Sequence, residues 1–239
     1  MSLTEKSQYY RHSAEERADY IKRVLEATQI NHIDIVASHS CGSYVSAQLF
    51  ADKSSADIGS LAFLNPMPTD YIAATKPQYV LRNLVNGWAS KYQPFVEKYG
   101  VKALELAGYP YTKNKIEDIV EACSTHFRTN RAQYVSNLNH IASAKVQLLV
   151  VVSDTDQFVT RNQTKNFLDI LSVSSNQEFV YDKSGKLLQE GNERGRRKVL
   201  RMHGGGHFAY VKHSDIVNDE VTQLLKHVPS FNCQATATN

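Results

Sequence analysis

The chain has 239 residues, of which 42% are hydrophobic and 21% charged, as in an ordinary globular protein with a sizeable core. Its formal net charge is only +3, and its one local basic cluster is Arg194, Arg196, Arg197 and Lys198, so no nucleic-acid-binding face is indicated. The three cysteines form no zinc motif and favour a reducing compartment. No segment has the apolar length of a signal peptide or a membrane span. We therefore predict a cytoplasmic protein without a nucleic-acid partner and without a membrane span.

The first predicted elements are a helix and a short buried strand. Ser13 and Glu16 fit a capping box, and apolar residues recur at helical spacing from Ala14 to Thr28. The β-branched run Ile33–Ala37 predicts a strand, and a second helix follows from Ser43 to about Asp52. The pentapeptide Ser-His-Ser-Cys-Gly, residues 38–42, lies between these two elements.

The middle of the chain changes character after a second buried strand, Leu61–Leu64, which Asn65-Pro66 ends. From Asp70 to Ser143 the pattern is almost wholly helical and rich in aromatic residues. We expect breaks in this helical stretch near Pro77, Pro94, Gly100 and Gly108–Pro110.

The last third returns to strands alternating with helices. The predicted elements are a strand at Val146–Val152, a helix from about Arg161 to Leu171, a hairpin from Gln177 to Glu190 around Ser184-Gly185, a strand at Val199–Met202 and a helix near Asp215–His227.

This alternation of buried strands and helices predicts an α/β fold, a three-layer sandwich with a mostly parallel sheet. We expect a single domain over residues 1–239, with its core in residues 10–69 and 144–228. Residues 70–143 form a helical insertion over one end of the sheet, and residues 229–239 form a mobile tail.

The passage around Ser40 has the pattern of a nucleophile elbow. Such an elbow is a sharp strand-to-helix turn that exposes a serine, and small residues two positions away on each side let strand and helix approach closely. Here these residues are Ser38, where glycine is usual, and Gly42. The backbone N–H of Cys41, at the positive end of the helix dipole, would face a developing oxyanion. The alternative interpretation is that Ser40 is a simple helix N-cap.

A serine nucleophile needs a histidine base and an acid that orients the histidine. The strand Val146–Val152 is followed by Asp154 and Asp156, and the strand Val199–Met202 is followed by a glycine-rich loop that contains His207. Ligand-binding residues gather at the carboxyl ends of parallel strands, so these side chains are predicted to meet at one sheet edge.

With these three motifs in order, the chain resembles the α/β-hydrolase superfamily, in its helical-lid branch of esterases and lipases, and is also similar to a group expanded in nematodes. The likeness extends from about Tyr10 to His227. It implies Ser40 as nucleophile, Asp156 as acid, with Ser153 where the family's turn has glycine, and His207 as base. It also implies a lid formed by residues 70–143.

Other residues compete for these roles. Asp154 is an alternative acid if the loop bends differently, and Asp70 is a lower-ranked one. His203 is an alternative base that lies nearer its strand. His39 matches a family position that packs under the elbow, which makes a structural role the expected one.

Compared with the family that it resembles, the chain has a short segment before Ser40. The family has four strands before the elbow strand, but only 39 residues precede Ser40 and they hold no motif for a second oxyanion donor. The strand Ile33–Ala37 then has an exposed apolar edge. We expect either a shortened product of a longer hydrolase or a chain whose edge is covered by another chain, as in a homo-oligomer.

These observations predict a serine hydrolase that acts on a small-molecule ester or related acyl substrate and needs neither a metal nor an organic cofactor. The alternative is a non-catalytic binding protein that keeps the hydrolase scaffold, because the upstream strands and one oxyanion donor are missing. We expect the chain by itself to be a poor catalyst.

Overall fold

The computed structural model describes residues 12–52, 56–72, 78–107, 115–192 and 196–226. Its helices are α1 (Ala14–Ala27), α2 (Gly42–Ala51), α3 (Gln78–Trp88), α4 (Gln93–Leu106), α5 (Ile116–Arg128), α6 (Arg131–Ser143), α7 (Arg161–Ile170), α8 (Ala209–Lys212) and α9 (Ser214–Lys226). Its strands are β1 (His32–Ile33), β2 (Val36–Ser40), β3 (Asp57–Ile58), β4 (Ser60–Pro66), β5 (Gln147–Ser153), β6 (Glu178–Tyr181), β7 (Leu187–Gln189) and β8 (Arg197–Met202).

Six of the strands form one sheet in the order β2–β4–β5–β8–β6–β7. The first five are parallel to their neighbours, and β7 is antiparallel to β6, with which it forms the predicted hairpin. Strands β1 and β3 form a separate two-stranded parallel ladder. The sheet is therefore mostly parallel, as predicted.

Both faces of the sheet are covered, and the central strand β5 shows this most clearly. Leu148, Val150 and Val152 pack into a core with side chains of α1, α2, α6 and α7. Leu149 and Val151 point to the other face and pack with side chains of α8 and α9. Successive strand residues face opposite sides of a sheet, so this near-continuous apolar run is what a strand buried on both faces requires. The predicted three-layer α/β sandwich is confirmed.

The predicted capping box at the start of α1 is confirmed. The backbone N–H of Glu16 donates to Ser13 Oγ (3.2 Å), and the backbone N–H of Ser13 donates to the Glu16 carboxylate (3.3 Å). These bonds satisfy two N–H groups that have no partner within the helix.

One predicted strand boundary is wrong. The run Ile33–Ala37 is divided between β1 and β2, because the chain passes from one ladder to the other at Asp34 and Ile35. Ser60 Oγ stabilises the crossing by donating to the Asp34 carbonyl (2.5 Å).

One predicted helix break is confirmed and one is wrong. The break near Pro94 separates α3, which ends at Trp88, from α4, which begins at Gln93; Pro94 itself lies in the first turn of α4, where its missing N–H costs nothing. The predicted break near Gly100 is wrong. Gly100 lies inside α4, and a Cβ there would be 2.8 Å from Ile116 Cδ1, so glycine permits α5 to approach α4 closely. The predicted breaks near Pro77 and Gly108–Pro110, like the tail from residue 229, lie outside the described residues.

The helices between β4 and β5 divide into two groups. Helices α3, α4 and α5 share an apolar cluster of their own, which includes Leu81, Val96 and Val120. Helix α6 instead places Tyr134, Leu138 and Ile141 in the core against the sheet. Within the described residues, no helix is both long and apolar enough to cross a membrane.

Candidate functional site

Ser40 is the last residue of β2 and has a left-handed backbone conformation, with φ +54°. A non-glycine residue is strained in this region, and such strain is frequent where a turn must expose one side chain. A Cβ built on Gly42 would lie 3.4 Å from Ser38 Cβ, so the strand and the helix α2 do approach closely at these two small residues. The N-cap of α2 is Cys41, so the alternative interpretation of Ser40 as an N-cap is wrong.

The structure brings Ser40, His207 and Asp156 together at the carboxyl edge of the sheet. His207 Nε2 lies 2.8 Å from Ser40 Oγ, and His207 Nδ1 lies 2.8 Å from Asp156 Oδ2. A carboxylate only accepts, so Nδ1 carries a proton, and in the neutral ring Nε2 then accepts the Ser40 hydroxyl. His207 and Asp156 have side chains that are only 3% and 4% exposed. This arrangement can transfer a proton from the serine to the histidine.

Both oxygens of the Asp156 carboxylate accept hydrogen bonds. Oδ1 accepts from the backbone N–H groups of Phe158 (2.8 Å) and Val159 (3.1 Å). Oδ2 accepts from His207 and from Asn65 Nδ2 (3.2 Å). These four bonds fix where the carboxylate points.

Asn65 is a site residue that the sequence analysis missed. It is buried, has a φ of +45°, and donates to both Asp156 Oδ2 and the Gly206 carbonyl (3.3 Å). The sequence feature that could have identified Asn65 is its position at the carboxyl end of β4, directly before Pro66. A polar residue in a buried strand needs a hydrogen-bond partner.

The alternative residues have other contacts. Asp154 lies 3.1 Å from Arg201, 3.4 Å from Arg161 and 3.5 Å from His203, so this aspartate pairs with two arginines and with the alternative base His203. Asp70 accepts from Gln163 Nε2 (2.7 Å). His39 directly precedes Ser40 in β2, and its Nε2 lies 3.0 Å from the His207 carbonyl oxygen.

The loop that carries His207 is tied down through its backbone. Ser153 Oγ donates to the Gly204 carbonyl (3.1 Å), and the N–H of Gly206 donates to Thr155 Oγ1 (3.2 Å). The N–H of His207 donates to Gln157 Oε1 (3.3 Å). All three side chains belong to the segment around Asp156, so these bonds fix the base relative to the acid.

Cys41, the predicted oxyanion residue, directly follows Ser40 and is the N-cap of α2. Its thiol donates to the Ala122 carbonyl of α5 (3.6 Å), which brings this helix beside the elbow. Desolvation raises the pKa of the Cys41 thiol to about 11, so the thiol is protonated at neutral pH. Within the described ranges no strand pairs with β2 on the side away from β4.

A groove of about 920 Å³ follows this open side of β2. Its described lining is mostly apolar and comes from α1, α2, α3 and α5 as well as β2; it includes Tyr20, Ala37, Leu49, Trp88 and Val120. His39 lines it, but Ser40 and His207 are not among the described lining residues.

Beside the elbow, His126 of α5 is fully buried, with Nδ1 3.0 Å from the Tyr44 hydroxyl of α2. Burial, and then the charge of Arg131, lower the pKa of His126 from 6.5 to about 3, so its ring is neutral at neutral pH. Among the residues with described positions, no group of three His, Cys, Asp or Glu side chains is arranged to hold a metal ion.

No protein-family model and no curated protein matches this sequence. Solved structures do match the fold. A bromoperoxidase from Bacillus anthracis is 13% identical, with a TM-score of 0.55 over 91% of this chain and 75% of that chain. An esterase from a Rhodococcus species is 14% identical, with a TM-score of 0.55 over 92% and 74% of the two chains. An enol-lactonase from Burkholderia xenovorans is 11% identical, with a TM-score of 0.54 over 90% and 73%.

At identities this low a structural match carries the fold and not the activity. The matches extend over about nine-tenths of the chain, each with a TM-score above 0.5. The chain therefore has the α/β-hydrolase fold.

Proposed function

We propose that this chain is a serine hydrolase that cleaves an ester or related acyl bond through an acyl-enzyme on Ser40. The observation that carries the proposal is the unbroken hydrogen-bonded series from Ser40 Oγ through His207 to Asp156, with 2.8 Å at each step. A serine, a buried imidazole and a buried carboxylate in this order form the arrangement that activates a hydroxyl for attack.

In the first half of the reaction, His207 Nε2 takes the Ser40 proton while Oγ attacks the carbonyl carbon. The electron pair of the C=O bond moves to oxygen, and the Cys41 N–H, at the start of α2, stabilises the resulting oxyanion. When the C=O bond re-forms, the bond to the alcohol oxygen breaks, and His207 donates its Nε2 proton to that oxygen. Asp156 holds the imidazole in the correct tautomer and stabilises its charged form.

In the second half, water takes the place of the alcohol. His207 removes a proton from the water, which attacks the acyl-enzyme, and the acid leaves as Ser40 regains its proton. Every step uses side chains of this chain and water, so the proposed chemistry requires no metal or organic cofactor.

The proposed substrate is a small-molecule ester or related acyl compound, in line with the esterase and the enol-lactonase among the similar structures. Helices α3, α4 and α5 would act as the lid that selects it. This part of the proposal is supported by the contact between Cys41 Sγ and the Ala122 carbonyl, which brings α5 to the elbow.

A binding protein that keeps the hydrolase scaffold is the second candidate function. It is favoured by the open side of β2, where no described strand pairs, and by the lack of a sequence motif for a second oxyanion donor before Ser40. Loss of one such donor raises the barrier by about 2.7–4 kcal/mol.

A fluorophosphonate probe separates the two functions, since it labels a serine only when a base activates it. We expect labelling of the wild-type chain that disappears in Ser40→Ala. With p-nitrophenyl acetate we expect turnover no faster than that of Ser40→Ala, because the Cys41 N–H would act as a single oxyanion donor. Absence of labelling in a well-folded chain would favour the binding protein, whereas rapid Ser40-dependent turnover would show that another group supplies the second donor.

A further inference from the structure

His39 is the one described residue of β2, apart from Ser40, whose side chain bonds to the His207 loop. Its Nε2 lies 3.0 Å from the His207 carbonyl oxygen, across 168 positions of the chain. A carbonyl oxygen only accepts, so Nε2 carries the proton of this bond. Burial lowers the pKa of His39 below its ordinary value, which favours a neutral ring protonated at Nε2 alone.

The place of His39 in the chain gives this bond a specific geometric effect. Ser153, Thr155 and Gln157 fix the His207 loop relative to the segment that carries Asp156. His39 instead precedes Ser40 directly, so its bond fixes the base relative to the nucleophile. The distance between Ser40 Oγ and His207 Nε2 depends on how the base is placed relative to the nucleophile, and therefore on the bond from His39.

We propose that His39 is a positioning residue, whose hydrogen bond to the His207 carbonyl holds the imidazole of His207 within reach of Ser40. The inference rests on the proposed function, because it assigns His39 to the same reaction. It is a role for the side chain beyond the packing expected at this position.

Ring packing is the competing explanation. The His39 ring centroid lies 4.9 Å from that of His207, 5.1 Å from Phe208 and 4.8 Å from Tyr210. A ring without a donor would keep these contacts, whereas a donor without a ring would keep the hydrogen bond. His39→Phe and His39→Gln therefore separate the two effects, because the glutamine amide nitrogen takes the place of the imidazole Nε2.

The experiment compares these two variants with the wild-type chain in two measurements. The first is the rate at which a fluorophosphonate labels Ser40. The second is the low-field proton NMR signal of His207 Nδ1–H bonded to Asp156, which requires no turnover. His203→Phe is the matched control, since His203 is a histidine of the same loop that pairs with Asp154. Near-ultraviolet circular dichroism verifies that each variant is folded.

We expect His39→Phe to slow labelling by about tenfold to a hundredfold, the effect of displacing a reacting group by roughly 1 Å, and to broaden or remove the low-field signal. His39→Gln should label within about threefold of wild type and keep the signal, as should His203→Phe. If the wild-type chain turns over a model ester, the loss in His39→Phe should fall on kcat and not on KM.

The proposal is overturned if folded His39→Phe matches wild type in both measurements. It is also overturned if His39→Gln is as impaired as His39→Phe, because ring packing would then be the cause. If the wild-type chain is never labelled, the proposed function fails, and the NMR signals of the two variants still decide the role of His39.

Discussion

Asp154 and Asp156 are separated by one residue, yet their surroundings differ completely. Asp156 is bonded by His207, Asn65 and two backbone N–H groups, while Asp154 is paired with Arg201 and Arg161. The first aspartate has the contacts of an orienting acid, and the second has those of a structural ion pair.

Asp156→Asn should therefore lower Ser40-dependent labelling by orders of magnitude, about 10⁴-fold where such a triad is intact, because the amide favours the wrong histidine tautomer. Asp154→Asn should leave the labelling rate nearly unchanged. Since Asp154 is only 9% exposed and serves two arginines, that variant should instead lose about 1–3 kcal/mol of stability in urea unfolding. Slow labelling in Asp154→Asn with normal labelling in Asp156→Asn would reverse the assignment.

His126 gives the stability of the chain a predictable pH dependence. The folded chain lowers its pKa to about 3, whereas the unfolded chain has the ordinary value near 6.5. Between these two values the unfolded state binds a proton that the folded state excludes, so stability is full above pH 6.5 and is lost as the pH falls toward 3.

We expect His126→Asn, which keeps a polar group near the Nδ1 position, to remove this contribution. Between about pH 7.5 and pH 5, wild type should lose roughly 2 kcal/mol more unfolding free energy than the variant. Urea unfolding at the two pH values measures the difference, and carboxylate contributions cancel because both proteins share them. An equal loss in both would contradict the buried, neutral state of His126.

At the scale of elements, the site depends on loops held in conformations that few residues adopt. Gly205 has a φ of +97°, and a Cβ there would lie 2.6 Å from Ala209 Cα, so only glycine fits between β8 and α8. This turn places His207 over the carboxyl edge of the sheet. The turn after β2 that carries Ser40 lies at this same edge of the sheet.

Gly205→Ala should cost about 1–3 kcal/mol of stability and also slow the labelling of Ser40, because the loop must shift to relieve the clash. Gly185→Ala is its control, with a similar φ of +92° in the turn between β6 and β7, away from Ser40. That variant should lose stability and keep the wild-type labelling rate. Chemical denaturation and probe kinetics on the same samples give both quantities, and unchanged labelling in Gly205→Ala would mean that the loop tolerates the shift.

At the scale of the whole molecule, the described sheet has two edges of different kinds. Strand β7 has only three residues, all of them exposed, and Lys186 and Glu190 flank it, which discourages pairing. Strand β2 has five neutral residues beside an apolar groove. An unpaired edge of this second kind is a template for association.

We expect the purified chain to dimerise or aggregate through β2. Ala37→Lys, which adds a charge at the exposed second residue of this strand, should shift the chain toward monomer, while Leu188→Lys on β7 should not. Light scattering after size-exclusion chromatography over a range of concentrations measures the change. A monodisperse wild-type monomer would show that the open side of β2 is not an association surface.

Much of the fold is encoded over short distances along the chain. The capping box at Ser13, the helical spacing of α1, the apolar run of β5 and the glycine turn of the β6–β7 hairpin each depend on residues that are close in sequence, so their patterns predict them. The order of Ser40, Asp156 and His207 after three strands could likewise be read from the sequence, because parallel strands end at one edge.

Contacts between distant residues required the tertiary structure. Hydrophobic patterns that repeat every 2 or 3.6 residues show which face of a strand or helix is apolar. They do not show which other element will cover that face. The division of Ile33–Ala37 between two ladders, the parallel pairing of β6 with β8, and the burial of His126 against Tyr44 all depend on packing between separate segments. For the same reason, the preference of His207 for Asp156 over Asp154, the bond from Asn65 to Asp156, and the bond from His39 to the His207 carbonyl were decided by how the strand ends meet in space.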